Sequence, residues 1–261
     1  MKEADIKAAL IDRLVEKKQV DGDAIIANEL VVADRRADIV VANRKLHAFE
    51  IKSDSDSLYR LAPQVDVYSQ HFNKVTVVCG PKYINAIMSL LDKDIAVWLV
   101  QKRNSRIEWK VIRRGRCCQL TDRDKLLSFL PMANAIPLLR SHGVSCSWGI
   151  PRAELTHRAL KIPLPALRSG VLNYIKDRHA DANTKFMEKR NNCNTLVDDL
   201  NLLGLFDKPV VNSNSAADRA ELIEQMKDYQ DIASRHPNAI DISKIPGNTF
   251  SKPYHVIPRA R

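Results

Sequence analysis

Several features that define special classes of protein are scarce or missing in this chain of 261 residues. Glycine occurs 8 times and proline 12 times, without a repeating triplet, which excludes a collagen-like or low-complexity protein. The longest wholly apolar run, Ile95 to Val100, is far shorter than the roughly 20 residues of a membrane-spanning helix. The charged N-terminus lacks the apolar core of a secretory signal. We therefore expect a cytoplasmic protein that does not span a membrane.

Two further absences exclude particular kinds of site from this protein. The 5 cysteines include no CxxC pair, which argues against a disulfide framework and against a four-thiolate zinc site. No GxxxxGK[ST] loop is present, so ATP hydrolysis is not expected. What is present is an ordinary globular composition with 41 basic and 31 acidic residues, a net charge of +10. An excess of this sign favours a polyanionic partner such as nucleic acid.

The first part of the chain alternates between helical and strand patterns. Ile6, Leu10 and Leu14 recur at helical spacing and predict a first helix. Short β-branched runs then predict three hairpin-linked strands, over 25–33, 37–42 and 47–51. A second helix over 57–72 contains Pro63, so it either starts near Ala62 or kinks there. The remaining predictions are a strand over 75–79, a helix over 81–91, and strands over 96–100 and 107–112.

Beyond residue 115 the strand pattern fades. Helices are predicted over 122–130, 152–161, 164–178, 193–205 and 216–235. The fold class predicted is therefore α/β, with a mixed-sheet domain over residues 1–116 and a mostly helical domain over 117–240. Residues 241–261 carry three of the prolines and are predicted to be an extended or disordered tail.

Charged residues inside two apolar strands are the strongest functional signal. Because side chains alternate along a strand, Glu50 and Lys52 share one face, and Asp38 joins them if the two strands pair as a hairpin. Carboxylate oxygens are suitable ligands for Mg2+ or Mn2+. The backbone carbonyl of Ile51 offers a further ligand, and Glu29 in the preceding strand a third carboxylate. A surface hairpin with a cross-strand ion pair is the alternative.

These residues resemble the PD-(D/E)XK nuclease superfamily. Asp38 followed by Glu50-Ile51-Lys52 matches its metal-binding motif, with Ala37 where a proline often stands. Gln64 and Tyr68 resemble the QxxxY element of the RecB-like branch. The stretch from Glu29 to Tyr68 is also similar to a family of small bacterial and prophage proteins with the pattern ELxxxxxRADI and FEIKSDxDxLxRLxxQ.

The resemblance covers roughly residues 1–115 and implies a restriction-endonuclease-like core with the order α-β-β-β-α-β. It implies metal ligation by Asp38 and Glu50, with Glu29 as an additional or neighbouring group. Lys52 would be the catalytic lysine, and Gln64 and Tyr68 would border the site. The implied activity is hydrolysis of phosphodiester bonds, in a prophage, anti-phage or DNA-processing setting.

Basic residues outside the motif suggest a surface for the nucleic-acid backbone. The chain is rich in arginine and lysine between residues 102 and 116, and Arg60 lies on the same predicted helix as Gln64. The candidate contacts are Arg60, Arg103, Arg106, Lys110, Arg113 and Arg114. A solvated hairpin is the alternative for most of them. Trp109, within the same run, either stacks on a base or packs internally.

The sequence leaves three hypotheses open. The first is a metal-dependent DNase; nothing in the sequence separates DNA from RNA or one strand from two. The second is a module that kept the fold but only binds nucleic acid or protein. The third places the activity under the control of a partner protein or a second copy of the chain, bound through the helical domain.

Overall fold

One mixed β-sheet organises the chain up to residue 204. The structure is a computed structural model that describes residues 1–104, 106–204 and the four residues 240, 241, 255 and 256. In chain order the first elements are α1 (Glu3–Glu16), β1 (Ile25–Val32), β2 (Arg35–Asn43), β3 (Lys45–Lys52), α2 (Leu61–His71), β4 (Lys74–Cys79), α3 (Ile84–Leu90), β5 (Ala96–Arg103) and β6 (Arg106–Arg113). The helices that follow are α4 (Arg123–Ser128), α5 (Met132–Ser141), α6 (Arg152–Ala159) and α7 (Leu164–Arg190). Short 3-10 segments cover Pro81–Tyr83 and Val197–Leu203.

The six strands lie in the sheet in their chain order. β1, β2 and β3 are antiparallel neighbours, β4 and β5 run parallel to β3, and β6 returns antiparallel to β5. Parallel neighbours require crossover connections, which α2 and α3 provide. The structure therefore confirms the predicted mixed α/β class and the predicted order of helix, three strands, helix and strand.

Alternating side chains give the sheet two buried faces. Ile39 and Val41 of β2 face a core that includes Leu10 and Leu14 of α1, while Val40 of the same strand faces a core shared with helices α2 and α4–α7. The first helix forms because its apolar residues recur on one side, and Glu3 and Asp5 lie in its first turn, where the helix dipole favours acidic groups. Both faces of the sheet are thus covered, which explains the apolar runs of its central strands.

Several helices differ from their predicted bounds. α2 is an exception, because it begins at Leu61 and so confirms the first of the two alternatives given for Pro63, a start near Ala62. Before it, the Asp56 carboxylate accepts hydrogen bonds from the backbone N–H and hydroxyl of Ser53, both at 2.7 Å, and holds a turn. Pro63 falls in the first turn of α2, where a missing N–H is tolerated. α7 continues twelve residues past the predicted end at Arg178, to Arg190. The predicted helix over 193–205 is only the 3-10 segment, and α5 was not predicted.

The boundary predicted at residue 116 falls inside a single compact unit, Met1–Lys208. Leu126, Leu139 and Leu167 from the later helices belong to the same buried cluster as Val40 and Val77 of the sheet. These helices cover one face of the sheet, and burying that face requires them. The second half of the chain up to residue 204 is therefore part of the sheet domain rather than a separate helical domain.

The second unit, Pro209–Arg261, is described only by two short strands. β7 (Ile240–Asp241) and β8 (His255–Val256) pair antiparallel. The predicted helix over 216–235 lies outside the described residues, as does the predicted tail over 241–261 apart from these strands. Within the described residues, no helix has both the length and the apolar character needed to cross a bilayer.

The edge of β1 is closed by a side chain of α7. Asn183 is buried; its Oδ1 accepts a hydrogen bond from the backbone N–H of Ile26 at 2.7 Å, and its Nδ2 donates to the carbonyl of the same residue at 2.7 Å. At Ile26, one amide group thus makes the two hydrogen bonds that a neighbouring strand would make. Buried main-chain groups need such partners, because an unpaired one is costly.

Asn183→Leu should destabilise the protein strongly. Leucine offers neither donor nor acceptor, so both main-chain groups of Ile26 lose their partner, with an expected loss of about 2 to 4 kcal/mol in the free energy of unfolding. Denaturant titration measures it. Asn173→Leu, at an exposed position on the same helix, is the matched control. Equal stability of the two variants would contradict the role given to Asn183.

Candidate functional site

The residues predicted from the motif meet where β2 and β3 separate. Ile39 pairs with Phe49, and this is the last pair between the two strands at that end. Beyond it, Asp38 Oδ2 accepts a hydrogen bond from the backbone N–H of Ile51 at 2.7 Å. The side chain of Asp38 therefore bridges the strands and contacts the Ile51 backbone through its N–H, whereas the prediction for Ile51 concerned its carbonyl oxygen.

Lys52 forms the centre of a buried network. Its Nζ donates to Glu50 Oε1 at 2.6 Å and to Gln64 Oε1 at 3.1 Å. Glu50 and Lys52 are only 2% and 8% exposed, so the pair is held out of water. A charged pair at this depth is stable only when both partners are satisfied. Gln64 of α2 supplies the additional contact, and we call these three residues the Lys52 network.

Tyr68 joins α2 to the same region. It lies one turn beyond Gln64 and is fully buried, and its hydroxyl donates to the backbone carbonyl of Arg36 at 2.8 Å. Burial raises the pKa of the phenol, and the negative charge of Glu50 raises it further. Tyr68 therefore stays protonated and acts as a hydrogen-bond donor that fixes β2 against α2.

A lysine of α1 lies among three carboxylates that the structure brings together. Oxygens of Glu3, Glu29 and Asp38 lie within 4.8 Å of one another. Lys7 Nζ is 2.7 Å from Glu3 Oε1 and 3.2 Å from Asp38 Oδ1, and it also donates to Glu29. We call Glu3, Glu29 and Asp38 the carboxylate cluster.

Sequence reasoning missed Glu3 and Lys7. The available signal was a lysine on the apolar stripe of α1, seven residues before Leu14 and with Glu3 one turn earlier. Lys7 is 5% exposed. Burial acts to lower its pKa, but Asp38, Glu29 and Glu3 together raise that pKa above its ordinary value. Lys7 therefore remains a cation and compensates the cluster.

Glu29 has an unusual backbone. Its φ is +60°, in the left-handed region that residues other than glycine rarely adopt. The pairing of β1 with β2 includes Asn28 with Ile39 and Leu30 with Ala37 but passes over Glu29. Its carboxylate contacts both Lys7 and Arg36. Strained conformations of this kind concentrate at functional sites.

The buried carboxylates hold their protons more tightly than usual. Burial and the charge of Glu50 act to raise the pKa of Asp38, Lys7 and the Ile51 N–H act to lower it, and together they raise that pKa from 3.8 to about 7. Burial also raises the pKa of Glu50, against the effect of Lys52. Asp38 therefore keeps its proton to a higher pH than an ordinary carboxyl group does.

The donor set suits a hard divalent cation. Carboxylate oxygens are the ligands that Mg2+ and Mn2+ prefer, and the cluster supplies three carboxylates from α1, β1 and β2. In addition, Glu50 Oε2 is buried, and within the described residues no donor reaches it with hydrogen-bond geometry, although Tyr68 and Gln64 interact with the same carboxylate. A buried carboxylate oxygen without a partner is costly, and ligation of a cation would satisfy it.

The predicted nucleic-acid contacts other than Arg60 lie away from these residues. Arg103, Arg106, Lys110 and Arg114 are exposed on or just after the β5–β6 hairpin, at the sheet edge opposite β1. Arg113 instead donates to the carbonyl of Ile95 at 2.7 Å. Arg60 is exposed, and its carbonyl accepts from the backbone N–H of Gln64 at 3.1 Å. The hairpin therefore forms a basic surface separate from the carboxylate cluster.

Trp109 packs rather than projecting from that surface. It is half-buried and meets Trp98 edge to face, with 6.5 Å between ring centroids. The Arg13 guanidinium of α1 lies 5.4 Å from the Trp109 ring. The two tryptophans and the arginine thus anchor the hairpin to α1, and of the two interpretations of Trp109 the structure favours packing.

The chain belongs to a phage protein family. Residues 1–204 match the family model described as bacteriophage P4 protein cII. Protein cII of Enterobacteria phage P4 is 38% identical over 206 residues, which cover 78% of this chain and 78% of that protein. The relationship confirms the expected link to phage proteins. The matched region ends with the described part of the sheet domain.

Two solved structures share limited similarity with the chain. One is the SPO1766 protein of unknown function from Silicibacter pomeroyi, with 12% identity and a TM-score of 0.35 over 48% of this chain and 80% of that one. The other is SfsA of Pyrococcus furiosus in complex with Ca2+, with 16% identity and a TM-score of 0.29 over 43% of this chain and 63% of that one.

Asp38→Asn should change how stability depends on pH. Because folding raises the pKa of Asp38, the wild-type protein loses stability as the pH rises from about 4 through 7, whereas asparagine cannot ionise. Relative to wild type, the variant should therefore gain about 2 to 4 kcal/mol in the free energy of unfolding between pH 4 and pH 8.

Denaturant titrations at several pH values measure this difference. Asp66→Asn, at an exposed position of α2, is the matched control and should show a much smaller trend. A difference between Asp38→Asn and wild type that stays constant across this pH range would show that the burial of Asp38 does not raise its pKa.

Proposed function

We propose that the protein is a divalent-metal-dependent nuclease of the PD-(D/E)XK type that hydrolyses phosphodiester bonds of DNA. The observation that carries the proposal is the Lys52 network, because it places a buried ammonium beside a carboxylate oxygen that lacks a partner. Asp38 lies on the adjacent strand and contacts the backbone between Glu50 and Lys52. The identities and order of these residues are those of the motif that the sequence resembles.

The proposed ligands for Mg2+ or Mn2+ are Asp38, Glu50, Glu29 and the Ile51 carbonyl, with Glu3 as an addition from α1. A bound ion of this kind makes water a better nucleophile and stabilises negative charge on phosphate. Lys52 would orient the attacking water or neutralise charge on the phosphate oxygens. Gln64 holds the lysine in place, and Tyr68 holds α2 against β2.

The position of Lys7 favours a second candidate function. Its ammonium contacts all three carboxylates of the cluster, so it supplies the positive charge that a metal ion would otherwise provide. In a binding module that no longer cuts, Lys7 would be the permanent counter-ion. In a nuclease, Lys7 must move away from at least one carboxylate when metal binds. The two candidates therefore differ in whether the wild-type protein binds Mn2+.

Metal-dependent cleavage tests the first candidate. Purified full-length protein is incubated with linear, circular and single-stranded DNA in Mg2+, Mn2+ or EDTA. We expect cleavage in metal only, reduced at least about 100-fold in Asp38→Ala, Glu50→Gln and Lys52→Ala. Glu188→Gln, an exposed carboxylate of α7, is the control and should cut like wild type. Inactivity of the wild type on every substrate would favour the binding module or a requirement for a partner.

Lys7→Met should strengthen metal binding. Removing the buried cation leaves the cluster with uncompensated negative charge, so the affinity for Mn2+ should rise on the order of tenfold. Isothermal titration calorimetry measures it, with Lys17→Met, an exposed lysine just after α1, as the control. Unchanged Mn2+ affinity in Lys7→Met would show that the cluster is not where the ion binds.

The basic hairpin should determine the salt dependence of DNA binding. Replacing Arg103 and Arg106 by alanine should reduce the slope of log K against log salt by about 0.9 for each phosphate that the variant no longer neutralises. The control replaces two exposed lysines, Lys161 in the turn after α6 and Lys185 of α7, by alanine. If both double variants show the same slope, the basic hairpin does not contact DNA and is a solvated surface, as in the alternative interpretation of these residues.

A further inference from the structure

A cavity of about 720 Å3 lies beside the carboxylate cluster. Residues 28–31 of β1 form one wall, and residues 174–179 of α7 contribute to another. The turn between α4 and α5 closes one end. Small-molecule sites typically measure roughly 300 to 1,000 Å3, so the volume suits one nucleotide and is too small for a duplex.

The cavity shares two residues with the site described above. Glu29 and Arg36 belong to its lining, and they pair with each other. Glu29 also contacts Lys7 within the carboxylate cluster. A ligand in the cavity would therefore lie next to the groups proposed to act on the phosphodiester.

The charge of the lining favours an anion. Three arginines, Arg36, Arg152 and Arg178, face one acidic residue, Glu29, whose charge Lys7 and Arg36 compensate. Arg152 donates to the carbonyl of Leu130 at 2.8 Å and so holds the end of α4. Arg178 donates one of its five N–H groups to the Tyr174 hydroxyl at 2.8 Å. Arg178 is therefore the arginine best placed to bind a phosphate.

Two other lining residues carry buried polar atoms without a partner. His179 is 1% exposed, and within the described part of the chain neither of its ring nitrogens forms a hydrogen bond. The same holds for Oδ1 of Asn28. Burial and the nearby Arg178 lower the pKa of His179 to about 4, so its ring is neutral and offers one donor and one acceptor. Buried polar groups are normally satisfied, and here a polar ligand would satisfy them.

Aromatic side chains complete the lining. Phe129 and Tyr174 are half-buried and line the cavity, and nucleic-acid bases commonly stack on aromatic side chains. An anionic group, a flat aromatic group and several hydrogen-bonding atoms together describe a nucleotide. Sugars lack the charge, and simple anions lack the aromatic part.

We infer that this cavity binds one unpaired nucleotide of the DNA strand that crosses the carboxylate cluster. The phosphate lies at Arg178, and the base lies against Tyr174 and Phe129. The inference rests on the proposed nuclease function and adds its substrate class, a single strand or a frayed strand end. An intact duplex would have to release a nucleotide before it fits.

Binding in the absence of metal tests the inference separately from cleavage. The probe is a fluorescein-labelled oligothymidylate of twelve nucleotides, either alone or annealed to its complement, and fluorescence anisotropy is recorded in EDTA. We expect the single strand to bind more tightly to wild-type protein than the duplex does. Arg178→Met and Tyr174→Leu should each weaken single-strand binding about tenfold, with little effect on the duplex.

The matched control is Lys185→Ala, an exposed cation of α7 outside the cavity, which should leave the preference for the single strand unchanged. Thermal melts verify that each variant is folded. As a second readout, photo-crosslinking with 5-iododeoxyuridine should label the peptide that contains Tyr174. Three results would overturn the inference. Wild type and both cavity variants could bind the single strand equally, or Lys185→Ala could weaken single-strand binding as much as the cavity variants do. The third result is crosslinks only on the β5–β6 hairpin.

The two proposals fail in different ways. If the nuclease function fails, no metal ion supports cleavage, while the anisotropy results remain as expected. If the cavity fails, cleavage remains metal-dependent and is lost in Asp38→Ala, but Arg178→Met binds the single strand like wild type.

Discussion

The contact of Lys7 with Glu3, Glu29 and Asp38 is the interaction on which the site depends. Four buried or half-buried acids, including Glu50, converge where β1, β2 and β3 meet α1. Without a cation among them, their repulsion and loss of hydration would oppose folding. Lys7 lets the strands close while the carboxylates stay together. The same contact also fixes α1 against the sheet through charge as well as through its apolar stripe.

Because Lys7 already neutralises the carboxylate cluster, a metal ion that binds there must replace the lysine. A cation that enters the carboxylate cluster must bind the carboxylates more favourably than Lys7 does. The net gain in binding free energy depends on how far Lys7 can move away from them. Lys52 is held differently, because Glu50 and Gln64 both contact it and neither belongs to the carboxylate cluster. The two lysines therefore have different roles. Lys7 balances the charge of the proposed ligands, and Lys52 holds a fixed ammonium group beside them.

The sheet was predictable because each strand carries its own signal. Alternating or continuous apolar runs bounded by turn residues identified all six strands of the main sheet, and the strand alternation predicted that Glu50 and Lys52 share a face that Asp38 joins if the strands pair. Glu3 and Lys7 escaped notice because their role depends on a contact with residues more than twenty positions away. α5 escaped because Pro137 interrupts its pattern. The domain boundary was misplaced because helical periodicity does not reveal which surface a helix covers.

The two edge strands of the sheet are protected from pairing with other chains in different ways. The difference determines how a fragment of the protein would behave. At β6 the outermost strand carries exposed charges such as Arg106 and Lys110, which discourage pairing with another chain. At β1 the protection is the amide of Asn183, which arrives from a helix more than 150 residues later. A fragment that stopped after the last strand would expose an apolar strand edge and tend to self-associate. The smallest version that stays monodisperse must therefore extend through α7.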